Sequence, residues 1–227
     1  MTSLKEIVNL TKEMEEQFEL YYEILKEESQ KYNLTSITSK EEVYVKHFYD
    51  SILLLKKIDI SNKTLVDVGS GAGFPGIPLK IVSPSTKITL VEPTTKRANF
   101  LKLVIEKLNL KDIEVINDRA ENVIASFRES FDFATARAVA PLNILLELLV
   151  PFVKVNGSIL ALKGSSYQDE LDVCNNAFRQ LDINIEHIYH ETLPKDLGSR
   201  PIIVINKNKK TNIKYPRAYA QIKKKPL

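Results

Sequence analysis

The sequence predicts an α/β fold: a mostly parallel, seven-stranded sheet with helices on both faces, preceded by an N-terminal helical extension. Three observations carry this. From Thr64 onward, short β-rich runs alternate with helical runs, the pattern of βαβ units. Four of the seven glycines crowd between Gly69 and Gly76, at the first strand-to-helix junction, where open α/β sheets bind ligands. A length of 227 residues, with 44% apolar and 27% charged residues, suits one globular domain with a modest extension.

Residues 4–31 carry Leu4, Ile7, Val8, Met14, Phe18, Tyr21, Tyr22 and Leu25 at helical spacing. Ser3 with Glu6 resembles a capping box. The polar break Asn33-Leu34-Thr35 precedes a second helix expected over 40–57, started by Ser39 and Glu42. Strands are expected at 64–68, 87–92, 113–117, 131–136, 158–162, 184–190 and 202–206. Helices are expected at 76–82, 95–108, 120–127, 142–150 and 167–181. The last two strands have only a loop with Pro194 and Gly198 between them, so an antiparallel end to the sheet is expected. The chain thus divides into an extension (1–60), a ligand-binding domain (61–206) and a basic tail (207–227).

Composition excludes several classes. The longest apolar stretch, Leu142 to Val155, is interrupted by Asn143, Glu147, Pro151 and Lys154, so no membrane span is expected. The amino end lacks a signal-peptide layout, which makes the cytoplasm the expected compartment. Cys174 is the only cysteine, and His47, His187 and His190 are scattered, so neither a disulfide nor a metal site is expected. Residues 207–227 hold eight Lys or Arg and no acid, against 24 basic and 29 acidic residues in the remainder. Such a tail fits contact with polyanions or a solubilising terminus.

The loop Asp67-Val68-Gly69-Ser70-Gly71-Ala72-Gly73-Phe74-Pro75-Gly76 contains a literal G-x-G-x-x-G at Gly71, Gly73 and Gly76. With Asp67 included it resembles the D-x-G-x-G-x-G motif of class I S-adenosylmethionine-dependent methyltransferases. A carboxylate at the strand end suits an ammonium-bearing, cationic ligand better than a pyrophosphate. Glu92 ends the next strand, where such folds place the acid that receives ribose hydroxyls. Asp118-Arg119-Ala120-Glu121 follows the third strand, on the side that faces adenine in this fold class. Arg137 ends the fourth strand in a small, apolar stretch, Ala136 to Pro141, which favours a ligand role over packing.

Other chemistries find less support. Cys174 lies in an expected helix, far from the strand ends, and is a poor nucleophile candidate for pyrimidine C5 methylation. The Asn/Asp-Pro-Pro-aromatic motif of exocyclic-amine methylation is absent where Arg137 to Ala140 stand. A ring nitrogen needs neither device, since its lone pair attacks the methyl directly and alignment is the enzyme's task. An NAD(P)-dependent oxidoreductase and a noncatalytic RNA-binding module remain alternatives. The Tyr-x-x-x-Lys matches at Tyr22/Lys26 and Tyr219/Lys223 fall outside the sheet region.

The sequence also resembles the small-subunit ribosomal RNA guanine-N7 methyltransferases, the glucose-inhibited division protein B family, through nearly the whole chain. The resemblance runs through Asn33-Leu34-Thr35, His47-x-x-Asp50-Ser51, Asp67 to Leu79, Lys96-Arg97, Arg119-Ala120-Glu121, Arg137-Ala138-x-Ala140, Lys163-Gly164, Arg200, Tyr215-Pro216-Arg217 and Pro226-Leu227. Its most specific part is Phe74-Pro75-Gly76-Ile77-Pro78. Pro93, Ala220 and Ile222 depart from the family pattern.

The resemblance implies a class I methyltransferase with a Rossmann-like sheet. It would move the methyl of S-adenosyl-L-methionine to N7 of a guanine in the decoding-region loop of 16S rRNA, in a bacterial cytoplasm. The implied cofactor residues are Gly69, Phe74, Ala120, Glu121 and Arg137, beside Asp67, Gly71, Gly73 and Glu92 from the loop reading. The implied cleft cations are Lys96, Arg119, Arg137 and Arg200, the first three catalytic. Arg200 and Arg217, with Lys96 and Arg119, would contact RNA. The partner would be 16S rRNA or the small subunit, with the enzyme acting as a monomer and without metal.

Overall fold

The computed structural model describes residues 2–32, 34–137 and 139–227. Asn33 and Ala138 of the family-like motifs lie outside the described residues. So does Met1.

Ser3 and Glu6 do not open the long N-terminal helix. Thr2–Glu6 is a separate 3-10 turn, and α1 spans Lys12–Tyr32. Thr11 Oγ1 accepts the Met14 amide at 3.2 Å there, acting as the N-terminal cap. The helix expected over 40–57 is composite. It begins at Ser39, whose Oγ accepts the Glu42 amide at 3.4 Å and donates to Glu42 Oε2 at 2.9 Å. α2 (Lys40–Glu42) passes into a π-helical stretch, Val43–Tyr49, then α3 (Asp50–Ile52) and a 3-10 turn, Leu53–Lys56. Widened turns of this kind recur at functional sites.

The sheet holds β1 (Thr64–Val68), β2 (Lys87–Val91), β3 (Ile113–Ile116), β4 (Phe131–Arg137), β5 (Val153–Leu162), β6 (Ile183–Thr192) and β7 (Ser199–Lys207). Their spatial order is β3-β2-β1-β4-β5-β7-β6. β1 to β5 are parallel, while β7 runs antiparallel to both β5 and β6, as the missing helix between the last two strands implied. The connecting helices are α4 (Gly76–Val82), α5 (Thr95–Lys107), α6 (Ala120–Phe127) and α7 (Leu142–Leu149). α8 (Tyr167–Asp172), α9 (Asn175–Leu181) and α10 (Tyr219–Lys224) complete the set. The single helix expected over 167–181 breaks at Val173-Cys174, because the chain turns there to bury Cys174 completely.

Alternating strand residues feed two cores. Leu65, Ile88 and Leu90 pack with α1, the composite helix, α4 and α5. Val66, Val68 and Ile159 pack with α6, α7, α9 and α10 on the other face. The N-terminal helices therefore share a core with the sheet. No helix among the described residues is long and apolar enough to cross a membrane.

The basic tail is docked. Lys207 is fully buried at the end of β7, and its ammonium donates to Glu129 and to the carbonyls of Val150 and Val153. Arg217 closes on Glu147 of α7. Its amide, Nε and one terminal nitrogen donate to that carboxylate at 3.0, 2.8 and 2.6 Å. Glu147 is completely buried, and a buried carboxylate requires such a partner. Replacing Glu147 by Ala should lower unfolding free energy by about 2–4 kcal/mol and open the tail to trypsin. Urea titration with limited proteolysis measures both.

Candidate functional site

The sheet order reverses between β1 and β4, so their connections leave in opposite directions and open a crevice beyond their carboxyl ends. The glycine loop forms its floor. Gly69 donates to Val91 O at 2.7 Å, while Gly73 and Phe74 donate to Ser70 O at 2.8 and 3.0 Å. Gly71 has φ +59°, and a Cβ there would meet only Gly69 O, 3.9 Å away, so the position opens onto free space. Gly73 differs. A Cβ there would lie 2.6 Å from the Tyr21 hydroxyl and 2.7 Å from Ile77. Gly71 leaves room for a ligand, whereas Gly73 leaves room for α1 and α4 to pack.

Two carboxylates brace this loop. Glu92 is 2% exposed and lines the cleft. Its Oε2 accepts the Gly71 amide and its Oε1 the Thr94 amide, both at 2.9 Å. An ionised carboxylate offers about four lone-pair directions, so acceptor capacity remains. Asp67 is fully buried, and its Oδ2 accepts the Gly76 amide at 3.0 Å. Its Oδ1 has no hydrogen-bond partner among the described residues. Burial pushes its carboxyl up to about 7 against the pull of the Gly76 bond. The sequence reading puts Asp67 at the cofactor's amino end, yet it sits beneath the loop. It shares the Leu65 face of β1, which α4 covers, and acts first as the cap of α4.

Arg137 is the centre of the cation cluster. One guanidinium nitrogen donates to Asp50 Oδ2 and Lys46 O, both at 3.1 Å. Another lies 3.1 Å from His47 Nδ1, and the group stands 4.8 Å over the Phe74 ring. His47 stacks on Phe74 with centroids 4.4 Å apart. His47 Nδ1 therefore sits between a donor, Arg137, and an acceptor, Lys46 O at 3.2 Å, while Nε2 lies 2.9 Å from Thr35 Oγ1. Burial, then the adjacent Arg137 charge, lowers the imidazole to about 4. Asp50 Oδ1 also accepts from Arg200 Nε at 2.9 Å. Arg200 reaches this site because β7 runs antiparallel to β5, with Lys163 N donating to Pro201 O at 3.1 Å.

Two clefts meet at this cluster. One, of about 380 Å³, includes Gly71, Phe74, Glu92, Arg97 and Thr35. The other, of about 700 Å³, includes Lys46, Asp50, Lys163, Glu170 and Arg200. His47, Arg137 and Val139 form walls of both.

The remaining expected residues fall around the rim. Lys96 is exposed and stacks its ammonium 5.9 Å over Tyr32, while its neighbour Arg97 lines the smaller cleft. Arg119 is exposed at the start of α6, followed by buried Ala120 and half-buried Glu121. That turn is tied to the cleft because Asn117 Nδ2 donates to Glu92 O at 2.9 Å. Residue spacing gave no roles to His47, Asp50, Thr35, Arg97 and Lys163. The visible signal was a His and an Asp three apart, which share one side of the expected helix.

The histidine's depressed basicity has a signed consequence. Its stabilising contribution is complete above the unfolded value near 6.5 and is lost as pH falls through about 4, amounting to about 3 kcal/mol. The His47 ring proton resonance should therefore stay constant from pH 8 to 5.5. A midpoint near 6.5 would contradict the buried network.

Comparison with known proteins agrees with this architecture. A likeness to M. jannaschii TYW2, whose crystal structure holds AdoMet, has a TM-score of 0.57 at 16% identity, covering 75% of this chain and 77% of that one. A methyltransferase from Aquifex aeolicus, described as SAM dependent, gives 0.55 at 18%, covering 74% and 93%. At these identities the likeness speaks for the fold. The sequence relatives say more. The ribosomal RNA small subunit methyltransferase G of Oceanobacillus iheyensis is 45% identical over 97% of this chain and 94% of its own. Its namesake from Mycoplasma capricolum is 44% identical over 95% and 92%. Residues 14–196 match the family described as GidB, rRNA small subunit methyltransferase G, and the chain belongs to that family.

Proposed function

We propose that this chain is a cytoplasmic S-adenosyl-L-methionine-dependent methyltransferase that modifies N7 of one guanine in the decoding-region loop of 16S rRNA. The observation that carries the proposal is the pair of clefts with a common wall at Arg137. One is shaped by a glycine loop and an acid, and the other is lined by Arg137, Lys163 and Arg200.

The residues present fit the cofactor. Gly71 opens onto free space, Glu92 keeps acceptor capacity toward ribose hydroxyls, and Asp67 Oδ1, without a hydrogen-bond partner among the described residues, leaves a buried polar site beneath the loop. Bound there, the cofactor would supply a methyl group on a cationic sulfur. The starts of α6 at Ala120 and Glu121 would border the adenine, with Gly69 and Phe74 along the loop.

The protein's own part is alignment. Purine N7 carries an in-plane lone pair, and its methylated product is a cation, so no base has to remove a proton. His47 agrees with this, since both its nitrogens are engaged and it serves to hold Arg137. Arg137, Lys163 and Arg200 would meet the phosphates around the target, which gives affinity without reading sequence. Lys96 and Arg119, exposed at the starts of α5 and α6, extend that positive rim. The target guanine would leave its stack to enter the crevice, and selection would rest on RNA shape and splayed bases.

Transfer of tritium from labelled S-adenosylmethionine to deproteinised 16S rRNA and to intact small subunits tests this directly. The expected labelled nucleoside is 7-methylguanosine. Label in another nucleoside, or NADH binding in place of S-adenosylmethionine, would refute it. In the same assay Arg137→Ala should lower turnover about 100-fold or more. Its stability cost should stay near 1–3 kcal/mol, because Asp50 keeps Arg200 as a partner.

A further inference from the structure

The glycine loop is held from behind by a residue of the N-terminal helix. Tyr21 of α1 is completely buried, with its ring 5.2 Å from Phe48 and 5.7 Å from Phe74. Its hydroxyl donates to the Ala72 carbonyl. Burial holds the phenol well above its usual range, so it remains a donor at every working pH. The fit is tight, since any side chain at Gly73 would collide with that hydroxyl.

Ala72 is one of the loop residues that face the cleft, with Gly69, Ser70, Gly71 and Phe74. The amides of Gly69, Ser70, Gly71, Gly73 and Phe74 all have acceptors within the protein. The Ala72 amide has none among the described residues, and Ala72 lines the smaller cleft. A buried backbone donor near a ligand crevice is left for the ligand to satisfy. The Ala72 carbonyl shares a planar peptide unit with the Gly73 amide, which donates to Ser70 O at 2.8 Å, so turning that carbonyl away from Tyr21 would break the bond that closes the loop.

We propose that Tyr21 is a positioning residue for the cofactor: its hydroxyl, donating to Ala72 O, fixes the loop in the conformation that receives S-adenosylmethionine. The N-terminal extension thereby sets cofactor affinity although it lies outside the sheet. This rests on the cofactor assignment above.

Phe18 supplies the control. It lies one turn earlier on α1, is equally buried, and packs on Phe48 at 5.0 Å. Tyr21→Phe and Phe18→Leu would be compared with the unaltered protein by calorimetric titration with S-adenosylmethionine, urea unfolding and methylation kinetics. Tyr21→Phe should weaken cofactor binding about five- to tenfold and raise KM for the cofactor likewise, with kcat within about twofold. Phe18→Leu should bind as the unaltered protein does, even where its stability loss is larger. Unchanged affinity in Tyr21→Phe, or affinity falling in step with stability in both variants, would overturn the proposal. Failure of the unaltered protein to bind S-adenosylmethionine would overturn the functional assignment, and this inference with it.

Discussion

The Glu92 carboxylate joins three things that must coincide for the crevice to exist. It directly follows β2, it accepts the amide of Gly71 in the loop after β1, and it accepts the amide of Thr94 at the head of α5. A loop with left-handed residues at positions 69, 71 and 73 has few backbone bonds of its own. Here it hangs from the neighbouring strand by that acid and by the Val91 carbonyl. The same contact that shapes the loop therefore fixes a carboxylate with spare acceptor capacity at the cleft surface.

The second constraint is the compensation of positive charge. Arg137 is nearly buried, and a guanidinium there is stable only with fixed acceptors. Asp50 and the Lys46 carbonyl provide them, the carbonyl from the widened turn of the composite helix and the aspartate from the first residue of α3 that follows it. The same aspartate holds Arg200, two strands further along the sheet on β7. One carboxylate thus sets two arginines at fixed positions, and the N-terminal helices are as much a part of the site as the strand ends.

Much of this was legible in the sequence. The bounds expected for β1, α4 and α6 match the structure residue for residue, because a β-branched run, a glycine cluster and clear periodicity leave little competition there. The antiparallel last strands followed from a missing helix. The acid at 92 and the arginine at 137 stood out by their positions at strand ends. Long-range pairings were not legible. Arg217 reads as a tail cation until Glu147, seventy residues earlier, is known to be buried opposite it. Lys207 reads the same way. Periodicity could not show the π-helical turn, since the spacing at 43–49 fits an ordinary helix, and with it the approach of His47 and Asp50 to Arg137 was hidden. Asp67 was placed on the right strand end, but strand alternation sends its side chain under the loop.

The central claim is that Glu92 both braces the loop and receives the ribose of a bound S-adenosylmethionine. Calorimetric titration of the unaltered protein and of Glu92→Gln with S-adenosylmethionine and with its 2′-deoxy analogue tests it most directly. The account predicts that the unaltered protein prefers the ribose form clearly. It also predicts that Glu92→Gln binds at least about tenfold more weakly, with that preference largely gone. Undiminished affinity in Glu92→Gln, or an equal preference for ribose in both proteins, would contradict it.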